Sequence, residues 1–430
     1  MTSGPAGKVA KSVSLSCPSC GAPIDLRGYF HTVNVACAHC GAILDARTPT
    51  LTILQKFEKQ TSIQPAIPLG SRGKLNGIDF EVIGYQLRQI VSDGVAYQWS
   101  EYLLFNPFQG YRYLTEYRGH WNFGRTLNAL PAMQMGLRRT ASVGAQVYRH
   151  FQTANAQTVY VLGEFPWQVR VGDEVSAADY VAAPFLLSSE TTADEVVWST
   201  AVYTDGRALW QAFQLPGSPP PVSGVYENQP SPYKGKVGSV WKTYFLLLIA
   251  LIVAAIVLPT MINRNQKVFD RDYVFNGHPN GDSSFVTQPF ELDGRTSSVE
   301  IKTITNLDND WAYFHYALIN QDTGHAFDFG REVSKFSDEG SKEDRVIIPS
   351  VASGKYYLRV EPEMDTNSPT LRFGRSLRYE VIVTRDPPVY WFFLVVFFLL
   401  LIPPIYVTIQ AMKFEGARWA ESDYGSGGSA

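Results

Sequence analysis

The chain has 430 residues, with 37 lysine and arginine residues against 40 aspartate and glutamate residues, and its net charge is -3. This balance lacks the basic face that a nucleic-acid-binding protein needs, so we expect no nucleic-acid partner. Aromatic residues make up 13% of the chain, and helical periodicity is scarce outside two long apolar stretches, which predicts mainly β soluble parts. Since no apolar run lies near the N-terminus, we expect no cleavable signal peptide.

Two CxxC knuckles lie in the N-terminal segment, residues 1–50. Cys17 and Cys20 form the first, Cys37 and Cys40 form the second, and about 16 residues separate the two pairs. This is the spacing of a zinc ribbon, and the intervening residues are expected to form a short hairpin. We predict one zinc ion held by all four thiolates; two disulfides or four free thiols are the alternatives. A closed four-cysteine site leaves no position for a substrate, so the zinc is expected to be structural.

A run of strand signals at short intervals predicts a β-barrel or sheet module over residues 66–215. Glu101, Glu116 and His120 lie beside tryptophans in this module, and two interpretations of them stay open. They could converge as an acid/base group, or they could form a polar network at a sheet rim. We favour the rim network and predict no enzyme activity, because the chain lacks a P-loop, a GxSxG elbow, a dinucleotide fingerprint and an HExxH motif.

The same module resembles the bacterial family catalogued as domain of unknown function 4178. The resemblance covers roughly residues 66–215 and implies an N-terminal zinc ribbon, as is often seen in that family. It carries no catalytic residues, and it implies an envelope-associated role by association only. The matching residues are Leu69-Gly-Ser71, the strand from Trp99 to Phe105, Glu116, Gly119-His-Trp121, Trp167 to Asp173, Asp179-Tyr180, Pro184, Leu187 to Glu190, Trp198 and Tyr203.

A Pro/Gly/Ser-rich stretch, residues 216–240, predicts an extended tether. The first long apolar stretch follows at residues 243–262, contains no charge, and is long enough for a helix to cross the hydrocarbon core. Three lysines before it favour a cytoplasmic location for that side. The absence of cysteine outside the N-terminal ribbon agrees, because thiolate ligands need a reducing compartment.

Strand signals recur every 8 to 12 residues or so in residues 268–386. They predict eight strands that form an extracytoplasmic β-sandwich of jelly-roll type.

The second apolar stretch, residues 389–409, is unusually aromatic, and Pro403 and Pro404 are expected to kink or end its helix. Aromatic rings gain little from hydrophobic association in lipid, so we expect these rings to pack against another membrane protein or a second copy of this chain. The alternative is that all of them face lipid. The residues are Trp391, Phe392, Phe393, Phe397 and Phe398. A cytoplasmic tail, residues 410–430, follows, and its aromatic and basic residues could lie on the membrane surface.

The sequence therefore predicts a two-span protein of the bacterial inner membrane with both termini cytoplasmic. Its function is expected to be that of a non-enzymatic scaffold or adaptor in envelope homeostasis, with the lipid bilayer and other membrane proteins, or itself, as partners. One alternative is a sensor that binds a ligand through the outer β-sandwich. The other is a hydrolase or a polyamine-linked enzyme.

Overall fold

The structure is a computed structural model that describes residues 13–28, 31–48, 50–56, 63–92, 94–262, 264–277, 284–336, 339–365 and 367–425. These residues belong to two compact units. The first contains residues 1–237 and 406–430, and the second contains residues 238–405. Residues 1–12 of the predicted N-terminal segment and residues 426–430 of the predicted tail lie outside the description.

The N-terminal ribbon of the first unit consists of short strands that belong to two different sheets. They are β1 (Val13–Ser16), β2 (Pro23–Leu26), β3 (Asn34–Ala36), β4 (Ile43–Asp45) and β5 (Thr52–Gln55). β1 pairs with β2 in a two-stranded hairpin, whereas β3, β4 and β5 are neighbours in a much larger sheet. The expected hairpin between the two knuckles is therefore wrong, because β2 and β3 pair with other strands and not with each other.

Eight antiparallel strands of this larger sheet close into a barrel. The ring runs β7-β8-β9-β10-β16-β15-β14-β13, and β13 pairs back to β7. It consists of two four-stranded meanders, and the ribbon and the β11–β12 hairpin both extend from β13. The strands of the module are β6 (Arg72–Leu75), β7 (Ile78–Ser92), β8 (Val95–Asn106), β9 (Gly110–Tyr117), β10 (His120–Thr126), β11 (Ala132–Gln134), β12 (Thr140–Val143), β13 (Gln146–Phe165), β14 (Glu174–Ala182), β15 (Phe185–Thr191) and β16 (Val196–Thr204).

A pair of glycines allows the barrel to close between β7 and β13. Gly84 is opposite Gly163 in the register of these strands. A Cβ atom on Gly84 would lie 2.6 Å from the carbonyl oxygen of Glu164, and one on Gly163 would lie 2.2 Å from the carbonyl oxygen of Ile83. Gly163 also has a φ of 86°, a conformation that side chains with a Cβ rarely adopt. Only glycine therefore permits the backbones to approach this closely.

Two apolar clusters pack on the barrel wall. In the first, Tyr102 and Trp121 from the wall pack against the helix α1 (Gly206–Ala212) through its buried Leu209. In the second, Leu103 and Phe165 from the wall pack with buried residues of β3 and β4. The ribbon is thus continuous with the barrel in both hydrogen bonding and core packing.

The predicted tether contains no helix or strand over residues 216–235, but it packs on the barrel. Glu227 is 6% exposed and Asn228 is fully buried. The side-chain amide of Asn228 donates to Asn122 Oδ1 at 2.7 Å and to the carbonyl oxygen of Pro184 at 3.0 Å. The segment is therefore a wall of the first unit and not a free linker.

The helix α2 (Lys236–Ile262) leads into the second unit, whose strands form a β-sandwich around one core. One sheet has the order β17-β26-β20-β24, and the other has β18 and β19 beside β25, followed by β21, β22 and β23. This alternation between two sheets is the strand order of a jelly roll, so the predicted architecture is confirmed. The elements are β17 (Gln266–Phe275), β18 (Phe285–Val286), β19 (Phe290–Leu292), β20 (Ser297–Thr305), β21 (Asp310–Asn320), β22 (Ala326–Phe336), β23 (Glu339–Gly340), β24 (Glu343–Val351), β25 (Gly354–Glu363), the short helix α3 (Pro369–Arg372) and β26 (Leu377–Arg385).

The last helix, α4 (Trp391–Ala420), is longer than the sequence predicts. It continues through Pro403 and Pro404, so these prolines do not end it. Both α2 and α4 are long and apolar enough to cross a membrane, and only 6% and 11% of their most apolar stretches are buried within the chain.

Candidate metal centre and barrel cavity

The four cysteines converge on one point of the ribbon. Their sulfur atoms all lie within 4.8 Å of one another. The Sγ atoms of Cys17 and Cys40 are 3.8 Å apart, as are those of Cys20 and Cys37. A disulfide needs about 2.05 Å between its sulfur atoms, whereas four thiolates about 2.3 Å from a tetrahedral ion are about 3.8 Å apart. The cluster therefore has the dimensions of a four-thiolate metal site.

The two knuckles share one backbone conformation. The amide of Cys17 donates to the carbonyl oxygen of Ala22, and the amide of Cys37 donates in the same way to Ala42. The glycines that follow, Gly21 and Gly41, have φ values of 75° and 71°. Burial raises the pKa of the Cys37 thiol to about 12. Burial therefore opposes the thiolate form of Cys37, which is the form that a metal ligand requires.

A buried carboxylate fixes the ribbon to the barrel. Glu164, at the end of β13, is 3% exposed. Its oxygens accept hydrogen bonds from the amides of Arg27 and Gly28 at 2.7 and 2.9 Å and from the hydroxyl of Thr32 at 2.8 Å. Burial raises the pKa of Glu164 although these three donors oppose the rise. Glu164 thus adds side-chain hydrogen bonds to the strand pairing and core packing that join the ribbon to the barrel.

The barrel contains a cavity of about 530 Å³. Alternate residues of five strands, β7, β8, β9, β14 and β15, line it, so the inner face of the barrel wall faces the cavity. Residues after α1 and at the end of α4 complete the lining. The strand residues of this lining include Tyr97, Trp99 and Glu101 on β8, Ala177 and Asp179 on β14, and Leu186, Ser188 and Glu190 on β15.

An ion network crosses the interior beside this cavity. The guanidinium of Arg88, on β7, bonds to Glu190 on β15 and lies 3.4 Å from Glu101 on β8. β7 and β15 are not neighbours in the ring, so the bridge to Glu190 spans the barrel. Glu101 also accepts from Trp99 Nε1 and Gln86 Nε2, both at 2.6 Å. Burial acts to lower the pKa of Arg88, but the two carboxylates outweigh it and raise the pKa.

Asp179 extends this network without a direct ion pair in the described structure. It accepts hydrogen bonds from Ser188 Oγ at 2.5 Å and Gln152 Nε2 at 3.2 Å. Burial raises the pKa of Asp179, although these bonds and the charge of Arg88 oppose the rise. Desolvation within the barrel likewise raises the pKa of Glu190, which lines the cavity. The cavity wall is therefore acidic.

Residues that follow the apolar part of α4 cover the mouth of the cavity. Arg418 is 3% exposed, and its guanidinium donates to the carbonyl oxygens of Glu227 at 2.5 Å and Gln229 at 2.6 Å. Tyr424 places its hydroxyl 3.0 Å from Nδ1 of the buried His150. The tail therefore packs on the barrel through Arg418 and Tyr424.

Residues 68–206 match a family model whose description is Domain of unknown function (DUF4178). The barrel is a DUF4178 domain. The match ends close to the last barrel strand, so the mouth of the cavity is formed by residues outside the DUF4178 match.

Solved structures offer only distant similarity to this chain, and no curated protein matches it. The insecticidal delta-endotoxin Cry8Ea1 from Bacillus thuringiensis is 9% identical with a TM-score of 0.17, and the match covers 72% of this chain and 53% of the toxin. The chain therefore spans about half of that toxin. Infectious bursal disease virus, Gt strain, is 12% identical with a TM-score of 0.17, and 76% and 74% of the two chains are covered. The CBM22-1-CBM22-2 tandem domain of Paenibacillus barcinonensis Xyn10C is 11% identical with a TM-score of 0.15, over 69% and 92% of the two chains.

The predicted polar cluster of the DUF4178 barrel is distributed over separate environments. Glu101 belongs to the interior network. Glu116 is opposite Ser100 in the β8–β9 register, whereas Glu101 is opposite Thr115, so the two carboxylates lie on opposite faces of the wall. Glu116 accepts from the amide of Gly119 at 2.7 Å, and burial raises its pKa.

His120 has its own set of partners. Its Nδ1 lies 2.9 Å from the Tyr203 hydroxyl, and its Nε2 lies 3.1 Å from the carbonyl oxygen of Ser223. Its ring stacks on Tyr226 at 5.5 Å between centroids, and burial lowers its pKa. The described structure shows no hydrogen bond that links His120 to Glu101 or Glu116.

Four residues of the DUF4178 cavity and the adjoining ion network, Arg88, Asp179, Glu190 and Glu227, were not singled out as site residues from the sequence. Asp179 and Glu190 stood within the residues that carry the family resemblance, which is a usable signal for their importance. Arg88 lies in the middle of a strand, and nothing in its local pattern indicates an interior charge. Glu227 lies in a Pro/Gly-rich stretch whose composition predicts an exposed tether, so the local sequence gives no indication that Glu227 is buried.

The aromatic side chains of α4 differ in exposure. Trp391, Phe392 and Phe398 are 66%, 42% and 63% exposed, whereas Phe393 is 9% exposed and Phe397 is half-buried. Three of the five rings are therefore available to lipid or to another helix, and Phe393 is used within the chain.

Proposed function

We propose that this chain is a two-span protein of a bacterial inner membrane that acts as a non-enzymatic scaffold or adaptor. In this proposal α2 and α4 cross the bilayer, the DUF4178 barrel and both termini are cytoplasmic, and the jelly roll is extracytoplasmic. The low burial of both helices supports this, because a core helix of a soluble protein would be mostly buried. Contact between water and the exposed apolar side chains of these helices would be energetically unfavourable, whereas contact with lipid would not.

The contact between Arg418 and the segment before α2 carries the proposal. Arg418 follows the apolar part of α4, and its guanidinium bonds to the carbonyl oxygens of residues 226, 227 and 229. A chain that crosses the membrane twice returns to its starting side, where such a contact can form. An arrangement with an odd number of crossings would separate these residues by the bilayer.

Cysteine labelling tests the arrangement. Ser353 in the jelly roll and Ala193 in the barrel are both exposed. In intact spheroplasts, a Ser353→Cys variant should react with a membrane-impermeant maleimide, and an Ala193→Cys variant should react only after lysis. The unmodified chain is the control for its four native cysteines. Equal labelling of both sites in intact spheroplasts, or the reverse pattern, would contradict the proposed topology.

We also propose that the four thiolates hold one structural zinc ion. The sulfur separations support a tetrahedral four-thiolate site, and zinc is the ion that such sites usually bind. The ion would supply the positive charge that keeps four neighbouring cysteines deprotonated. It would stabilise the ribbon, because a core this small rarely suffices alone.

The adaptor role is supported by the exposed rings of α4 and by the presence of two folded β domains in one chain. Trp391, Phe392 and Phe398 offer flat apolar surfaces that another helix can pack against. Purification of the chain from native membranes in mild detergent, with two differently tagged copies, tests this. Co-purification of the second tag or of a defined membrane protein is expected. Recovery of the chain as a monomer alone would refute the adaptor role.

A further inference from the structure

The DUF4178 cavity combines a partly enclosed volume, acidic side chains and aromatic surface. Glu101, Asp179, Glu190 and Glu227 all line it. The volume of about 530 Å³ lies within the range of sites for small organic ligands. Tyr97, Trp99 and Tyr117 also line it, and aromatic faces attract cations. Arg88 lies over the ring of Trp99 and Arg118 over the ring of Tyr117, so two of these rings already contact a cation of the protein.

Three arginines of the region, Arg88, Arg118 and Arg418, do not balance these carboxylates. Arg118 lies 3.4 Å from Glu421, which also lines the cavity. Arg88 bonds to Glu190 and lies near Glu101. Arg418 directs its NH groups to backbone carbonyl oxygens and to Glu415, with Nε 2.9 Å from Glu415 Oε2. Asp179 and Glu227 are thus left without an ion pair within the described structure.

Glu227 provides an independent indication of a ligand. It is 6% exposed, it lines the cavity, and its Oε2 is buried without a hydrogen-bond partner. A buried acceptor without a donor is unfavourable, and native proteins rarely leave one. A donor that enters the cavity would remove this cost.

The spacing of the carboxylates argues against a metal ion as the donor. Within the described part of the chain, the cysteine cluster is the one group of three or more metal-binding side chains whose ligand atoms lie within 4.8 Å. No three acidic residues of the cavity meet that distance among the described residues, so the cavity offers no cluster of three carboxylates around one metal ion. Carboxylates that are spread over a larger cavity suit a cation whose charges are spread over a carbon chain.

We propose that the cavity of the DUF4178 barrel binds a small organic cation with ammonium groups, which donates to Glu227 and Asp179 and packs its carbon chain against Tyr97 and Tyr117. The inference does not rest on the membrane role, since every residue in it belongs to the first unit. Because Arg418, Glu421 and Asp423 line the same cavity, the end of α4 forms part of the binding site.

Calorimetric titration of the full-length chain in detergent micelles tests the proposal. The probe is butane-1,4-diammonium, titrated at constant ionic strength, and its uncharged counterpart is butane-1,4-diol. We expect saturable binding of the diammonium with a dissociation constant below about 10 mM, and at least about tenfold weaker binding of the diol. Binding of both compounds with equal affinity, or no saturable binding of the diammonium, would overturn the proposal.

Variants then locate the site. Glu227→Gln and Asp179→Asn should each weaken diammonium binding at least about tenfold, since each removes one charge-assisted acceptor. Glu195→Gln is the matched control, because Glu195 is exposed in the β15–β16 turn and does not line the cavity. Unchanged affinity in both acid variants, with hydrogen exchange of the barrel intact, would place binding elsewhere and refute the site. If neither acid variant folds, Tyr97→Ala takes their place with the same criterion.

Discussion

Replacement of Arg88 by methionine tests whether the interior ion network determines the stability of the barrel. The side chain of Arg88 is 5% exposed, and it is the common partner of Glu101 and Glu190. Methionine retains most of the apolar stem and removes only the guanidinium. The two carboxylates then face each other and Asp179 without a cation. Removal of one partner of a buried ion pair lowers the free energy of unfolding by about 3–5 kcal/mol. Here the removed guanidinium is the partner of two carboxylates.

Hydrogen–deuterium exchange of the full-length chain measures this cost locally. A loss of about 3–5 kcal/mol in the free energy of opening corresponds to about 10²- to 10⁴-fold faster exchange in peptides from β8 and β14. Peptides from β20 in the jelly roll should be unchanged and provide an internal reference. The matched control is Arg125→Met, because Arg125 is an exposed arginine on β10 and should cost about 0.5 kcal/mol or less.

The effect of Arg88→Met should also depend on pH. Burial already raises the pKa of Asp179 and Glu190, and loss of the guanidinium raises both further. The folded variant then binds protons more readily than the unfolded chain, so its stability increases as pH falls. After correction for intrinsic exchange rates, the deficit relative to wild type should be smaller at about pH 5.5 than at about pH 7.5. A cost below about 1 kcal/mol, or a cost that does not change with pH, would refute the account of the network.

The remaining predictions concern the metal, the tail and the helices. Metal analysis of fresh protein should give one zinc per chain, which Cys37→Ser loses and His39→Ala keeps; zinc below about a tenth of an equivalent would contradict the proposed site. Arg418→Met should speed exchange at residues 223–229 about tenfold or more, whereas the exposed Lys413→Met should not; equal rates would show that Arg418 does not hold this segment. Phe392→Leu combined with Phe398→Leu should abolish co-purification of membrane partners, while Phe245→Leu on α2 keeps it; unchanged partners would assign these rings to lipid.

The sequence predicted the features that depend on local pattern. The CxxC spacing places four thiols at two tight turns, and the structure brings those turns together as predicted. In residues 268–386, apolar and polar residues alternate along the strands, so each strand has one apolar face. Because these faces are buried between the two sheets, the strands form the jelly roll. Asp205 precedes α1 and accepts a hydrogen bond from the amide of Arg207, which is a local signal of a helix N-terminus.

The features that depend on distant contacts were not predictable in the same way. Glu164 and Glu227 are charged residues in loop-like or terminal positions, which usually means exposure, yet both are buried by segments far away in the sequence. The pairing of β3 with β13 joins residues that lie more than a hundred positions apart, and no local pattern indicates it. Proline has a low intrinsic helix propensity and usually ends or kinks a helix, but α4 continues through Pro403 and Pro404.

The Arg418 contact also bears on the order in which the protein is made. Arg418 and Glu227 are 191 positions apart, and the whole second unit is synthesised between them. The strands of the barrel can pair as soon as β16 leaves the ribosome, because the barrel needs no later residue for its ring. The mouth of its cavity, in contrast, stays incomplete until the jelly roll and α4 have been translated. A chain that ends after the barrel would therefore have an open acidic cavity. The covered mouth of the cavity thus distinguishes a fully translated chain from an incomplete one.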